Sequence, residues 1–460
     1  MKKLKKIFFG TYIRGFVVSY FLFLMLGATL LKLPISIQDG QALTWIDAIF
    51  VSVSGMSTTG LSTIVVKDVF TTFGQTVLAF ILQFGGIGLI MFVSTFWLLI
   101  RKRISFRERT MIMTDQNQIG RAGIVGFIRN VLIMIISIEI LGFLTMSTYL
   151  YLAGYFPFGE ALFQAFFLTI SMFTNAGFDI SPGGDSLMMY SSDYFMQILA
   201  MTLMVAGAIG FWPLAEIKQW FEAKIKRKKF TFSLFTKILV SMHLGLWVIS
   251  AVIVYLLEYN GFLADKSLFD GIFYSLFMSL TTRNAGFATM NMNDMSSTVQ
   301  VLFGVLMFIG SSPNSAGGGI RTTTFLVALL GIISFSRGKE QIVIKNKSIK
   351  QDTVYKSLMV VIGAGALIIF ALLIMTISDG YNPLTGNGFT MKQIFFEIAS
   401  AFGTTGLSLG ITSSLSFIGK IVLIVVMFCG RIGILALLLM FKGSKTGSNV
   451  KYPEIDMIVG

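Results

Sequence analysis

Four short segments of the chain share one pattern: STTGLS at Ser57–Ser62, TNAGFD at Thr174–Asp179, RNAGFA at Arg283–Ala288 and GTTGLS at Gly403–Ser408. Their glycines, Gly60, Gly177, Gly286 and Gly406, recur about 110 to 120 residues apart, a spacing regular enough to mark an internal repeat. One such hexapeptide alone would read as an ordinary tight turn. Four in register point instead to backbone chemistry. Glycine admits backbone angles that a side chain would hinder, and lets the chain approach an ion closely. Peptide carbonyls from several such loops, meeting on one axis, can replace the hydration shell of a cation. The candidate ligands are the backbone carbonyls of Thr58, Thr59 and Gly60, of Asn175, Ala176 and Gly177, of Asn284, Ala285 and Gly286, and of Thr404, Thr405 and Gly406.

The flanks of each glycine repeat as well. Before it stands a short, Phe-rich apolar stretch: WIDAIFVSVSGM, FGEALFQAFFLTISMF, SLFDGIFYSLFMSLTT and MKQIFFEIASAFG. These are too short to cross a bilayer and suit re-entrant half-helices, whose C-terminal carbonyl dipoles would favour a cation. After it come a polar outer loop and a long apolar segment with a glycine motif: FGGIGL at Phe84–Leu89, AGAIGF at Ala206–Phe211 and CGRIGI at Cys429–Ile434. First helices are expected near residues 14–33, 124–153, 237–258 and 354–378, and second helices near 74–100, 195–217, 299–335 and 415–441. The expected fold is an all-α membrane protein. It has eight transmembrane helices and four re-entrant half-helices around a pseudo-fourfold pore, in repeats spanning 1–100, 101–217, 218–336 and 337–460. Carbonyls at membrane depth are tolerated only when buried in protein or lining a water-filled path.

Composition agrees. The chain is 55% hydrophobic and 13% charged, with a mean hydropathy of +0.80, too little polar material to coat a soluble protein of 460 residues. The net charge of +14 is segregated rather than patched for nucleic acid. Basic runs stand at residues 1–6 (MKKLKK), 101–109 (RKRISFRER), 224–229 (KIKRKK) and 337–350 (RGKEQIVIKNKSIK), with Lys442, Lys445 and Lys451 in the tail. They fall between alternate apolar segments, which places them and both termini in the cytoplasm, where they could meet anionic lipid. The one cysteine, Cys429, excludes an internal disulfide. An intramembrane enzyme finds little support, because His243 is the only histidine, zinc lacks ligands and no phosphate-binding GxxxxGK[ST] loop is present. His243 is expected to hydrogen-bond within the bundle. Inverted repeats of a secondary transporter would alternate in topology, whereas an even number of spans per repeat keeps all four alike.

In the third repeat, GSSPNSAGGGIRTTT at Gly310–Thr324 interrupts what would be a continuous helix, at a cost of several kcal/mol. A structural kink and a movable loop under the carbonyls are both compatible with it. Arg431 puts a charge inside an apolar helix, where it must face a cavity or a partner such as Glu139 or Glu397. Arg283 precedes a candidate ligand, so its side chain is expected to point behind the loop, toward a carboxylate. Asp179, Asp185, Asp193, Asp270, Asp294 and Asp379 fall in or near outer loops, where they either concentrate cations or merely face solvent.

With its four glycine loops, its glycine-rich break and the GRIG motif at Gly430–Gly433, the chain resembles the membrane subunits of the Trk/Ktr/HKT superfamily. The resemblance runs over essentially the full length and is closest to the B and D types of the bacterial Ktr systems. It implies potassium as the transported ion, since all four loop positions are glycine. It also implies sodium as an activator, with sodium-coupled symport as the alternative, and no cofactor bound by this chain. The stretch formed by Gly310, Ser311, Ser312, Pro313, Asn314, Ser315, Ala316, Gly317, Gly318 and Gly319 matches the family's intramembrane gate, and Arg431 its electrostatic barrier. The implied partners are a second copy of the chain and a cytoplasmic octameric ring of RCK subunits that binds ATP or ADP, with cyclic di-AMP as a further ligand. The implied location is the bacterial plasma membrane.

Overall fold

The computed structural model describes residues 12–88, 124–339, 341–381 and 388–441. The basic runs at 1–6 and 101–109, the tail lysines and residues 89–100 lie outside the described residues. The expected first helices form as α1 (Tyr12–Leu31), α4 (Ile124–Leu152), α8 (Leu234–Glu258) and α12 (Gln351–Asp379). The Phe-rich stretches form shorter helices: α2 (Trp45–Ser57), α5 (Phe158–Phe173), α9 (Leu268–Thr281) and α13 (Met391–Gly403). Thr44, Ser267 and Thr390 cap three of these, each accepting a backbone N–H, and Thr390 forms a reciprocal capping box with Gln393.

Outside the third repeat, where Gly310–Thr324 is expected to interrupt the helix, the second helices differ from the expectation of continuous spans. The second-repeat helix splits into α6 (Tyr194–Ala208) and α7 (Phe211–Ile225), which are bent by 104°. The third splits into α10 (Ser297–Phe308) and α11 (Thr322–Ser336), and the fourth into α14 (Phe417–Ile432) and α15 (Ile434–Phe441). In the first repeat, α3 (Thr72–Ile87) ends at Gly88. Gly88, Gly210 and Gly433 hold φ of 91°, 101° and 88°, values a side chain would oppose, and each is the last glycine of its motif. Among the described residues, three helices are long and apolar enough to cross a membrane, or four if the bent pair is one span.

The second helices begin alike. Thr71, Asp193, Ser296 and Ser416 each cap the following turn by accepting a backbone N–H three residues on. In three of them a glutamine four residues after the cap turns back to loop carbonyls: Gln75 to Phe70, Gln197 to Tyr190 and Ser191, Gln300 to Met292 and Met295. The fourth has Lys420 there, which pairs with Asp47 of α2 at 2.9 Å. The C-terminal carboxylates of α8 and α12 bind the caps of the next second helix. Glu258 accepts from Ser296 N and Oγ (2.8 and 2.6 Å), and Asp379 from Ser416 N and Oγ (2.6 and 2.9 Å). Asp379 is therefore a buried tie, not a solvated surface charge. Asp193 and Asp270 likewise accept from tyrosine hydroxyls, of Tyr149 and Tyr155 and of Tyr194.

Packing closes a ring. α3 lies against α5, α6 against α9, α10 against α13 and α14 against α2. The core sits around the short helices, with Phe50, Phe167, Phe173, Phe277, Phe396 and Phe402 fully buried. The outside is apolar: Phe21, Leu141, Leu256, Phe370 and Ile377 are 55–87% exposed on the long helices. Contiguous exposed hydrocarbon of this kind is costly in water and fits a multi-pass membrane protein. A two-residue-per-strand hairpin, β1 (Val343–Ile344) and β2 (Lys347–Ser348), connects α11 to α12 through Lys345 and Asn346, both at positive φ.

Candidate cation-conduction site

The last carbonyls of α2, α5, α9 and α13 run directly into the four glycine loops. In each loop the residue two before the glycine is left-handed: Thr58 (φ 55°), Asn175 (52°), Asn284 (77°) and Thr404 (52°). Such φ is uncommon outside glycine and costs roughly 1–2 kcal/mol, so the surroundings must hold it. The glycines follow with φ of 93°, 68°, 77° and 95°. They form a closed ring in chain order. A Cβ on Gly60 would lie 2.9 Å from Gly177 Cα, one on Gly177 3.0 Å from Gly286 Cα, one on Gly286 3.3 Å from Gly406 Cα, and one on Gly406 3.1 Å from Gly60 Cα.

The loops are held from behind by their amides. Thr59, Ala176 and Thr405 N–H bind the carbonyls of Ser54, Ser171 and Ser400 at 2.7–2.9 Å. The same serines reach past the ring: Ser54 and Ser400 Oγ accept from Gly60 and Gly406 N–H, and Ser171 Oγ donates to Phe178 O. The third loop differs, with Ala285 N–H bound to Thr281 O at 3.0 Å. No hydrogen bond among the described residues ends on the carbonyl oxygens of Thr58–Gly60, Asn175–Gly177, Asn284–Gly286 or Thr404–Gly406. Buried backbone carbonyls almost always have a partner. Here all the candidate ligands lack one among the described residues, and their loops sit in one ring.

The fourth loop has a support that the sequence reading missed. Glu397, fully buried on α13, accepts from Leu409 N–H at 3.2 Å, from Thr412 Oγ1 at 3.0 Å and from Ser408 Oγ. The other loops carry apolar Val51, Leu168 and Phe277 at this register, so a lone carboxylate against an apolar pattern was the available signal. Removing it orphans a buried N–H, worth about 1–3 kcal/mol. Glu397→Ala is expected to lower the unfolding midpoint of the detergent-solubilised protein by about 1–3 °C, with Glu397→Gln losing less. An unmoved midpoint would show that the brace carries no weight.

The segment Gly310–Gly319 lies against the ring. Thr58 Oγ1 donates to Ala316 O at 2.6 Å, and Gly318 N–H donates to Thr404 Oγ1 at 2.7 Å. A Cβ on Gly317 would sit 2.6 Å from Asn284 Cβ. Three consecutive loop residues thus touch the left-handed residues of the first, third and fourth glycine loops. Helix breaks supply the other anchors. Ser312 and Ala316 N–H bind the carbonyls of Ala208 and Gly207 (both 3.3 Å), freed where α6 ends, and Gly319 N–H binds Gly430 O at 3.2 Å. In return Asn314 O accepts from Phe211 N–H at 2.6 Å. The GxxG motifs therefore serve as docking points for this segment.

Arg431 donates to Ala316 O and to Gly85 O, and lies 3.4 Å from Thr58 Oγ1. It links α14, α3 and the loop. Glu397 is occupied as described, and Glu139 accepts from Gln83 Nε2 at 2.8 and 2.9 Å. Arg283 does point behind its loop, but its Nη2 donates to Gly310 O at 2.8 Å rather than to a carboxylate. His243 departs from expectation too: it is fully buried, and neither ring nitrogen has a partner among the described residues. Beyond the second glycine, Asp179 accepts from Ser181 N–H at 3.3 Å. Desolvation pushes its carboxyl up to about 6, with the nearby Asp185 adding to the rise and the Ser181 bonds opposing it.

Comparison with known proteins gives the family. The profile of the TrkH cation transport protein family matches residues 15–452. Ktr system potassium uptake protein D of Bacillus subtilis (strain 168) is 42% identical over 441 residues, covering 96% of this chain and 95% of the relative. Ktr system potassium uptake protein B of the same organism is 35% identical, with 96% and 95% covered. The crystal structure of the potassium transporter TrkH from Vibrio parahaemolyticus superposes with a TM-score of 0.70 at 20% identity, over 93% of this chain and 84% of the other, which is a likeness of fold. The end-to-end match places the chain in the TrkH family of cation transport proteins.

Proposed function

We propose that the chain carries out potassium uptake across a bacterial plasma membrane, through a path lined by backbone carbonyls of four fused helix–half-helix–helix repeats. The observation that carries this reading is the closed ring of Gly60, Gly177, Gly286 and Gly406, with carbonyls that no donor among the described residues uses. Oxygen dipoles of fixed position favour a weakly hydrated monovalent cation. The names of the two Bacillus subtilis relatives, both potassium uptake proteins, support the choice of ion. Repeats at 1–100, 101–217, 218–336 and 337–460 share one orientation, with both ends in the cytoplasm. The Gly310–Gly319 loop closes the path beneath the ring, and Arg431 holds it there while adding a positive barrier.

Membrane potential alone can drive accumulation. It contributes about 2.3 kcal/mol per charge per 100 mV, so roughly 150 mV supplies about 3.5 kcal/mol. The loop needs a trigger, and the Ktr-system relatives point to a regulatory subunit. A cytoplasmic ring of RCK subunits, binding ATP or ADP and cyclic di-AMP, fits that role, with two copies of this chain seated on it and sodium as activator. The decisive experiment is rubidium or potassium uptake in a potassium-requiring bacterial strain with sodium varied. Uptake that follows the potassium gradient and voltage supports the channel reading. Sodium flux in fixed stoichiometry with potassium would establish symport instead.

Asp179 gives a pH signature. Its carboxylate is charged above about pH 6 and neutral below. The attraction of one carboxylate for an entering cation, screened by the water at the mouth, is on the order of 0.5–1 kcal/mol, or about threefold in rate. Uptake at low potassium is expected to fall about threefold as external pH drops from 7.5 to 5. Asp179→Asn should run at the low rate throughout, and a variant that kept the full pH step would assign it to another group.

A further inference from the structure

We propose that Arg283 sets how tightly the ring holds its cation: its buried charge, behind the third glycine loop and without a carboxylate beside it, weakens binding enough for the ion to leave again. The inference rests on the conduction reading above and adds to it a residue that tunes affinity.

Arg283 is fully buried, and among the described residues no carboxylate forms an ion pair with it. Its Nη2 donates to Gly310 O at 2.8 Å, while Nε and Nη1 are buried with no partner among the described residues. The neighbouring helix α8 brings no anion either. Trp247 donates from Nε1 to Leu276 O and accepts on its own carbonyl from Ser279 Oγ, both at 2.8 Å. One turn further on, this antiparallel register brings the fully buried His243 to the level of Arg283, whose charge it feels. A histidine cannot neutralise a guanidinium.

What does stand against the charge is the end of α9, which stops at Thr281. A helix C-terminus carries about half a unit of negative charge. In the other repeats the residue at the place of Arg283 is Ser57, Thr174 or Gly403, all neutral, so the ends of α2, α5 and α13 act on the ring unopposed. In the third repeat a full positive charge outweighs the half-charge of the helix end. Three loops therefore attract a cation and one repels it. The third loop is set apart in its backbone too, since Ala285 N–H binds the carbonyl of Thr281, four residues back, where Thr59, Ala176 and Thr405 reach five back. Charges act more strongly inside a protein than in bulk water. Conduction needs binding that is favourable enough for entry and weak enough for exit. Arg283, held in place by Gly310 O, supplies the weakening.

The test is rubidium flux into liposomes carrying the full-length chain, read as half-saturating concentration and maximal rate, with rubidium binding to the purified chain by calorimetry alongside. Arg283→Gln removes the charge yet keeps a donor for Gly310 O. It is expected to lower the half-saturating concentration and the dissociation constant about tenfold and to reduce the maximal rate. Arg283→Lys, which keeps the charge, should stay within about twofold of the parent on all three. A merely structural role would move both variants together and would not tighten binding. Unchanged or weaker binding in the glutamine variant overturns the proposal, as does tightening of equal size in the lysine variant, or tighter binding with an undiminished maximal rate. If Arg283→Gln does not insert, His243→Glu, which puts a carboxylate beside an intact Arg283, is held to the same criterion at about a threefold tightening. Gly286→Ser run in parallel separates the two readings: lost selectivity there with no effect of Arg283→Gln removes only this inference, whereas retained selectivity removes the conduction reading itself.

Discussion

Gly286→Ser is expected to reduce the preference for potassium over sodium by about tenfold or more. At φ 77° any Cβ is strained, and here it would run into Thr405 O, an oxygen of the neighbouring loop and a candidate ligand. The collision cannot be relieved by a rotamer, because the obstacle is backbone on one side and Gly177 Cα, 2.9 Å away, on the other. The ring must deform. Selectivity between two monovalent cations depends on the number and position of dipoles around the ion, and tenfold is only about 1.4 kcal/mol. The check is competition between rubidium and sodium in a flux assay on reconstituted protein. Unchanged selectivity with normal insertion would remove the ring from the conduction path.

Deleting Gly317–Gly319 should raise basal flux about ten- to a hundredfold and abolish control by any regulatory subunit. The deletion removes the bonds of Gly318 N–H to Thr404 and of Gly319 N–H to Gly430, and shortens the chain that brings Ala316 to Thr58. At about 1 kcal/mol net for each hydrogen bond, losing these two shifts a closed–open balance by about 2 kcal/mol, or about thirtyfold, within the predicted range. Arg431→Ala should act in the same direction with a smaller effect, since it takes one anchor from Ala316 O and leaves the glycines in place. Tracer flux into liposomes containing the chain alone measures both. Basal flux equal to that of the parent would mean that the segment is only a kink in the third repeat.

The local elements were legible because their determinants are local. The expected first helices near 14–33, 124–153, 237–258 and 354–378 lie within a few residues of α1, α4, α8 and α12. Length, apolarity and a capping residue are properties of a continuous stretch. The Phe-rich stretches were recognisable as short helices for the same reason, and the glycine loops by their recurrence. Apart from the interruption at Gly310–Thr324, the breaks in the second helices were not legible. A glycine tolerates a helix as readily as a break, and what decides is whether another part of the chain takes up the freed carbonyls. At Gly210 that partner is the loop a hundred residues on, through Ser312 and Ala316.

What the sequence by itself determined was the recurrence of four glycine segments, each after a short Phe-rich apolar stretch, and the apolar character of the chain, because repetition, hydropathy and composition are written along it. Only the tertiary structure decided the ring order of those loops, the neutral carbonyl partner of Arg283, the anchoring of Arg431 to Ala316 and the occupied hydroxyls of Thr58 and Thr404. Each of these couples residues far apart in sequence. A donor's identity is local, but which acceptor lies within 3 Å of it is set by how the helices pack.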